Sequence, residues 1–176
     1  LFFSGSIDFV IIISSNHIFV KHIQRGYPLK ALNKKMNNKA KILRNAFELT
    51  SKSPKVNNIY SEIFTKSLNA LAFNIAALYY NQTNKKLSIN NSAIQMLSRI
   101  MIEGEQISNY LGISHKQNYK ERIKQTLSSS IHTMSMLSDY KNGKEIELKY
   151  LWRSFKLLSS LTKIKMKYTN TIYKKL

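Results

Sequence analysis

Apolar residues fall into two patterns along the chain, and the first is typical of β-strands. The runs Ile7–Ile13 and His17–His22 are short and rich in β-branched and aromatic residues, and Ser14–Asn16 separates them. This arrangement predicts two short strands joined by a turn. Because two strands rarely make a stable sheet alone, we expect the remaining strands of their sheet to lie outside this chain.

After Pro28 the apolar residues recur every three or four positions, which predicts helices. Pro54, within the segment Ser51–Lys55, is expected to end the first helix. Gly112 fits a helix C-cap, and Asn118 with a Glu three residues later fits a capping box. The predicted helices cover about 32–50, 59–80, 92–111, from 118 onward, and 145–161. The sequence thus predicts an all-helical body over 59–176 behind a β-containing segment, 1–58.

The start of the chain resembles neither a signal peptide nor a membrane span. The uninterrupted apolar run Phe9–Ile13 is far shorter than the ~20 residues that cross a bilayer. No basic residue precedes this run, and no clean cleavage site follows it. Since the chain begins with Leu1 and its strands lack partners, we interpret it as a fragment of a longer protein.

Composition narrows the candidate chemistry. The 176 residues contain no Cys, which excludes disulfides, Cys-ligated zinc, iron–sulfur clusters and a Cys nucleophile. The net charge of +19 favours an anionic partner. Lysines supply most of it and are spread along the chain, whereas arginine, the better ligand for bases and phosphates, is scarce. We therefore attribute the charge mainly to a Lys/Asn/Ile-rich composition, and a nucleic-acid-binding module is the alternative.

Common ligand motifs are missing from the sequence. The five glycines form neither GxGxxG nor a phosphate-binding loop, and the four histidines lack metal-ligand spacing. His17 and His22 are expected to be strand residues. We expect no metal site.

One group of polar residues could carry chemistry. Lys66, Ala70 and Asn74 are spaced i, i+4, i+8 and share one side of the helix predicted at 59–80, and Asn84 follows. A Lys beside amides can bind a carbonyl or anionic substrate and protonate a developing alkoxide. The alternative is a solvated Lys/Asn face. Downstream, Ser135 and Asp139 could orient a hydroxyl or cap a helix, and Met134 and Met136 are expected in the core.

The spacing of these residues resembles a known family. Phe64–Lys66 matches an aromatic-x-Lys motif, with Asn74 and Asn84 eight and eighteen residues after the Lys. Ser135–Asp139 matches a Ser-Met-x-x-Asp motif, and Glu147 lies twelve residues after its Ser. The chain thus resembles the C-terminal part of the ketopantoate reductase (2-dehydropantoate 2-reductase) family. Ile102-Glu103 and Leu111-Gly112 resemble two further family patterns.

The resemblance implies an architecture. It implies a mainly α chain with a helical substrate-binding and dimerisation domain of the 6-phosphogluconate-dehydrogenase C-terminal-like type over residues 59–176. Residues 1–58 would be a short β/α remnant of a nucleotide-binding Rossmann domain. The family also implies a cytoplasmic protein that can form a homodimer, with no membrane partner and no nucleic acid.

The resemblance further implies a reaction. NADPH, bound mainly by a domain outside this chain, would reduce the ketone of 2-dehydropantoate to give pantoate for pantothenate and coenzyme A synthesis. Lys66 would be the general acid, and Asn74, Asn84 and Ser135 would bind the small anionic 2-keto acid. Glu147 would face the cofactor near the nicotinamide ribose.

Several positions depart from the family pattern. Ala70 stands where an Asn is usual, and His132 replaces a frequent Asn three residues before the Ser. Because the GxGxxG half is absent, we expect the fragment alone to be inactive with NADPH. The departures leave open another 2-keto acid as substrate. A non-catalytic helical interaction domain from a decayed reductase is the further alternative.

Overall fold

The protein is mainly helical. The computed structural model describes residues 3–5, 8–14, 17–26, 28–49, 53–128 and 133–176. Within these ranges the chain forms four short β-strands followed by eight α-helices. It divides into two compact units, Leu1–Ile63 and Phe64–Leu176. The predicted fold class, a helical chain with a short β-containing start, is confirmed.

The strands form two antiparallel pairs. Their bounds are β1 Phe3–Gly5, β2 Asp8–Ser14, β3 His17–Gly26 and β4 Leu29–Ala31. Strand β2 pairs with β3, placing Ile12 opposite Phe19, and β1 pairs with β4. Strands β2 and β3 confirm the two predicted strands, whereas β1 and β4 were missed because three residues are too few to show alternation. Ile7 and residues 15–16 of the predicted turn lie outside the described residues.

The helix predicted over 32–50 is wrong at its start. A 3-10 turn, Lys34–Met36, comes first, and helix α1 follows at Asn37–Glu48. The Asn33 side chain accepts a hydrogen bond from the Lys35 amide at 3.0 Å, which favours a turn at this point. Among the described residues of α1, Ala40 is buried, while Ile42 is exposed. Part of the predicted terminator, residues 51–52, lies outside the described residues.

Helix α2, Ile59–Tyr80, has the predicted bounds. Asn58 accepts a hydrogen bond from the Tyr60 amide at 3.0 Å and so supports the helix start. Asn81, with a φ of 51°, ends the helix in the left-handed conformation. Every residue of Leu71–Ala77 is buried, because this stretch is apolar around the whole helix except at Asn74.

The remaining helices surround α2 with one apolar core. The bounds of these helices are α3 Asn84–Leu87, α4 Asn91–Tyr110, α5 Tyr119–Ser128, α6 Ser135–Lys141, α7 Leu148–Thr162 and α8 Lys167–Tyr173. The predicted helices correspond to α4, α5 and α7, while α3, α6 and α8 were missed because helices of four to seven residues are too short to show periodicity. Met134 and Met136 are buried, as predicted. None of the described helices is long and apolar enough to cross a membrane.

Two predicted helix ends are confirmed in detail. At the start of α5, Asn118 Oδ1 accepts from the Glu121 amide at 3.0 Å, and Glu121 Oε2 accepts from the Asn118 amide at 3.2 Å. These reciprocal bonds are the predicted capping box. Gly112, just after α4, has a φ of 66°, a conformation that favours glycine.

Candidate active site

Lys66 and Asn74 lie on one side of α2 in different surroundings. Lys66 is exposed, whereas Asn74 is only 4% exposed within the buried stretch of the helix. Asn74 Nδ2 donates to the Ala70 carbonyl at 2.8 Å. Its Oδ1 is buried and has no hydrogen-bond partner among the described residues. The helix thus places an exposed cation about two turns before a buried acceptor.

Asn84 repeats this arrangement on another element. It is the first residue of α3 and is fully buried. Its Nδ2 donates to the Thr126 carbonyl of α5 at 3.3 Å, and its Oδ1 has no partner within the part of the chain that the structure describes. A buried acceptor without a partner costs about 1–3 kcal/mol, so folded proteins seldom keep one without a reason. Both amides are oriented as acceptors for a donor that the described residues do not provide.

The other predicted residues lie on exposed positions at helix starts. Ser135 is the first residue of α6, and Glu147 directly precedes α7. Neither side chain caps its helix. Asp139 is inside α6 rather than at its start, and its carboxylate lies 3.9 Å from Lys144 Nζ. The described hydrogen bonds of Asn74 and Asn84 reach neither Ser135 nor Glu147, and His132 lies outside the described residues.

A second polar cluster beside Lys66 was not predicted from the sequence. His115, in the loop between α4 and α5, contacts two hydroxyl groups with its ring nitrogens. Nδ1 is 2.7 Å from Thr65 Oγ1, and Nε2 is 2.8 Å from Ser108 Oγ. The Phe64 ring lies 5.8 Å from the imidazole. The sequence shows only a histidine without metal spacing, because its partners lie up to 50 residues away.

A buried arginine continues this cluster. Arg122 of α5 is 2% exposed and donates to Asn69 Oδ1 of α2 at 2.8 Å and to Glu105 Oε1 of α4 at 2.5 Å. Burial lowers the pKa of His115, the charge of Arg122 lowers it further, and Glu105 opposes the shift. Among the described residues, no group of His, Asp and Glu could hold a metal ion.

Glu103 and Gly104 have structural roles. The carboxylate of Glu103 accepts hydrogen bonds from the backbone amides of Tyr168 and Thr169, at 2.8 and 2.9 Å, and so binds the start of α8. A Cβ on Gly104 would lie 2.2 Å from Leu68 Cδ1, so only glycine permits this approach of α4 to α2. These contacts give Glu103 of the Ile102-Glu103 pattern a structural role that does not involve substrate.

Comparison with protein families identifies the family to which this helical region is similar. A sequence model described as "Ketopantoate reductase PanE/ApbA C terminal" matches residues 58–176, about two thirds of the chain. The chain belongs to this family. The ketopantoate reductase resemblance drawn from the motifs is thereby confirmed. A comparison with curated proteins gives no significant match.

Solved structures share this fold. A 2-dehydropantoate 2-reductase from Geobacter metallireducens GS-15 has a TM-score of 0.83 and 14% identity, over 97% of this chain and 58% of its own. A PanE/ApbA family ketopantoate reductase from Ralstonia eutropha JMP134 has a TM-score of 0.78 and 11% identity, over 97% and 55%. A D-mandelate dehydrogenase solved with NADH has a TM-score of 0.83 and 18% identity, over 98% and 60%. The chain thus spans under two thirds of these oxidoreductases, and the likeness establishes the fold.

Proposed function

We propose that this chain is the substrate-binding part of an NADPH-dependent reductase that converts 2-dehydropantoate to pantoate, toward pantothenate and coenzyme A. Membership of the ketopantoate reductase family supports this reaction. Residues 59–176 would form the helical substrate domain, and residues 1–58 the end of a Rossmann domain. From the family resemblance we further propose a cytoplasmic protein that can form a homodimer.

The two unbonded amide oxygens are the observation that carries the proposal. Asn74 and Asn84 stand eight and eighteen residues after Lys66, and each keeps a buried Oδ1 without a partner. An oxygen acceptor calls for a donor, and 2-dehydropantoate carries one hydroxyl group, whose single proton would be shared between the two oxygens in a three-centre bond. These buried acceptors would therefore gain a hydrogen-bond donor when the substrate enters the site.

The remaining roles follow from charge and exposure. The Lys66 ammonium would attract the anionic keto acid, protonate the ketone oxygen as it becomes an alkoxide, and recover its proton from solvent, to which it is exposed. Ser135 would bind the carboxylate or hydroxyl end of the substrate. The exposed carboxylate of Glu147 fits an acceptor for the ribose hydroxyls of a nicotinamide cofactor. NADPH, when bound, supplies the hydride.

Ala70 bears on substrate choice. It stands where the family pattern has an Asn, and its carbonyl already accepts from Asn74. The site therefore offers one amide fewer to the substrate. We propose 2-dehydropantoate as the substrate, and the 2-keto acid that lacks only its hydroxyl group, 3,3-dimethyl-2-oxobutanoate, is the matched comparison.

A titration of the chain with 2-dehydropantoate tests the proposal. We expect binding that Lys66→Met, Asn74→Leu and Asn84→Leu each weaken about tenfold or more, the scale of one buried or charged hydrogen bond. The controls, Lys124→Met and Asn109→Leu, replace exposed residues and should bind as the parent does. We expect 3,3-dimethyl-2-oxobutanoate to bind more weakly.

The same titration separates the alternatives. Absence of keto-acid binding, or equal affinity in all five variants, would contradict the proposal. DNA binding that falls steeply with salt, without keto-acid binding, would favour the basic nucleic-acid-binding module. Binding of neither would favour the non-catalytic interaction domain.

A further inference from the structure

The contacts around His115 favour one direction for each bond. The Ser108 hydroxyl lies 2.9 Å from the Glu105 carbonyl and can donate its one proton to it. With that proton used, Ser108 Oγ accepts from His115 Nε2, 2.8 Å away. A neutral imidazole with a proton on Nε2 has a lone pair on Nδ1, so Nδ1 accepts from the Thr65 hydroxyl at 2.7 Å. The bonds are all satisfied with a neutral ring in the Nε2–H tautomer.

We propose that His115, neutral and in the Nε2–H tautomer, is a positioning residue that holds the turn of α2 bearing Lys66. The inference rests on the proposed function for its consequence in substrate binding. The contact between His115 and Thr65 stands apart from that function.

The contacts surround Lys66 on both sides along the helix. Thr65, the residue before it, is bonded to His115. Asn69, three residues after it, accepts a hydrogen bond from the buried Arg122. The loop before α5 and α5 itself therefore hold the two ends of one helical turn. Since Lys66 lies within this turn, its backbone is restrained where its ammonium group would meet substrate.

The charges near His115 favour the neutral ring. Arg122 on α5 opposes protonation and Glu105 on α4 favours it, while the α2 turn contributes Lys66 and the loop contributes the adjacent Lys116. Burial together with Arg122 lowers the pKa of His115 below its ordinary value of 6.5. A protonated ring would donate from both nitrogens, so the Thr65 hydroxyl would turn to accept, and the ring charge would be buried near Arg122. Because burial and Arg122 disfavour that charge, acid should loosen the packing of the His115 loop against the Lys66 turn.

Nitrogen NMR of the chain tests the tautomer and the restraint without substrate. We expect the ¹⁵N shifts of His115 to show a protonated Nε2 and an unprotonated Nδ1 at neutral pH. In Thr65→Val, amide hydrogen exchange at residues 65–69 should become about three- to tenfold faster, the effect of one lost hydrogen bond. Exchange within Leu71–Ala77 should stay unchanged.

Matched variants separate this restraint from general destabilisation. Thr65→Ser keeps the hydroxyl and should restore slow exchange. Thr171→Val removes a threonine that bonds only within its own exposed helix turn, to the Lys167 carbonyl, and should leave residues 65–69 as in the parent. A proton on Nδ1 at neutral pH, or unchanged exchange in Thr65→Val, would overturn the proposal.

The pH dependence of 2-dehydropantoate binding tests the consequence. We expect affinity to fall as pH decreases below about 6.5, the ordinary histidine value, and this loss should follow the NMR titration of His115. His115→Gln should remove that pH dependence, and His22→Gln should retain it. An affinity for 2-dehydropantoate that does not change as His115 becomes protonated would overturn the inference. If the parent binds no 2-dehydropantoate at any pH, the proposed function fails, while the tautomer and exchange results still decide the role of His115.

Discussion

Asn74 and Asn84 each use one half of the amide for the fold and leave the other half unbonded. Their Nδ2 groups donate to the carbonyls of Ala70 and Thr126, whereas both Oδ1 atoms are buried and unpaired. Such an atom lowers the free energy of unfolding, and a bound substrate that donates to it recovers the loss. At these residues, substitution should weaken substrate binding while it changes stability only slightly.

Asn84→Leu should show this difference between substrate binding and stability. The change removes a buried unpaired oxygen and one 3.3 Å hydrogen bond, while keeping a side chain of similar size. We expect the free energy of unfolding to change by less than about 1 kcal/mol in either direction, while substrate affinity falls. Urea denaturation measures the first quantity. A stability loss above about 2 kcal/mol would show that Asn84 is chiefly a structural residue.

Arg122→Met should have a large structural effect. It leaves Glu105, whose side chain is 20% exposed, without its cationic partner. Breaking a buried ion pair typically costs 3–5 kcal/mol, and because Glu105 keeps some solvent contact we expect about 2–4 kcal/mol. The pKa of His115 should rise, since Arg122 lowers it. Denaturation and histidine NMR measure the two effects.

The control for Arg122 is Arg153→Met, at an exposed position of α7. Its effect on stability should stay within about 0.5 kcal/mol. A His115 pKa that falls or stays constant in Arg122→Met would contradict the electrostatic account.

At the residue scale, sequence spacing located the polar residues but not their environments. The motif spacing singled out Asn74 and Asn84, yet nothing in it showed that their oxygens are buried and unbonded. The cluster around His115 could not be predicted, because Thr65 and Arg122 reach it through contacts that only the folded helices create. The roles of Lys66 and Glu147 stay predictions.

Among the elements, the close approach of α2 and α4 depends on a single glycine. Gly104→Ala would place a Cβ 2.2 Å from Leu68, whose side chain is fully buried and has little room to move. We expect a loss of about 1–3 kcal/mol from overpacking. Thermal or urea denaturation measures it.

Gly112→Ala is the matched comparison because no atom lies within 4 Å of its added Cβ. Its φ of 66° predicts a cost of about 1 kcal/mol from backbone strain alone. When Leu68→Ala is combined with Gly104→Ala, the loss of stability should be smaller than the sum of the two single losses, whereas with Gly112→Ala the losses should add. Equal behaviour of the two double variants would contradict the packing account.

Element length decided which parts of the fold could be predicted. Helices α2 and α4, of 22 and 20 residues, were placed within a residue of their bounds because several turns repeat the same pattern. The four-residue α3 completes only one turn. The start of α8 depends on Glu103, which is 65 positions away from Tyr168 in the sequence. Such distant capping leaves no local pattern.

For the whole molecule, the net charge of +19 should reduce stability at low salt. Self-repulsion among so many cations opposes the compact state, and added salt screens it. We expect the melting temperature to rise by several degrees between about 0.01 and 0.5 M sodium chloride, where the Debye length falls from about 30 Å to a few ångströms. A melting temperature independent of salt would show that the positive charges are already locally compensated.

NMR of the asparagine side-chain amides during titration with 2-dehydropantoate tests the central claim most directly. If Asn74 and Asn84 share the hydroxyl proton of the bound substrate, the Nδ2 signals of both should shift together and saturate with the same affinity, while the exposed Asn109 stays constant. Saturating binding that leaves both signals unmoved would contradict the account.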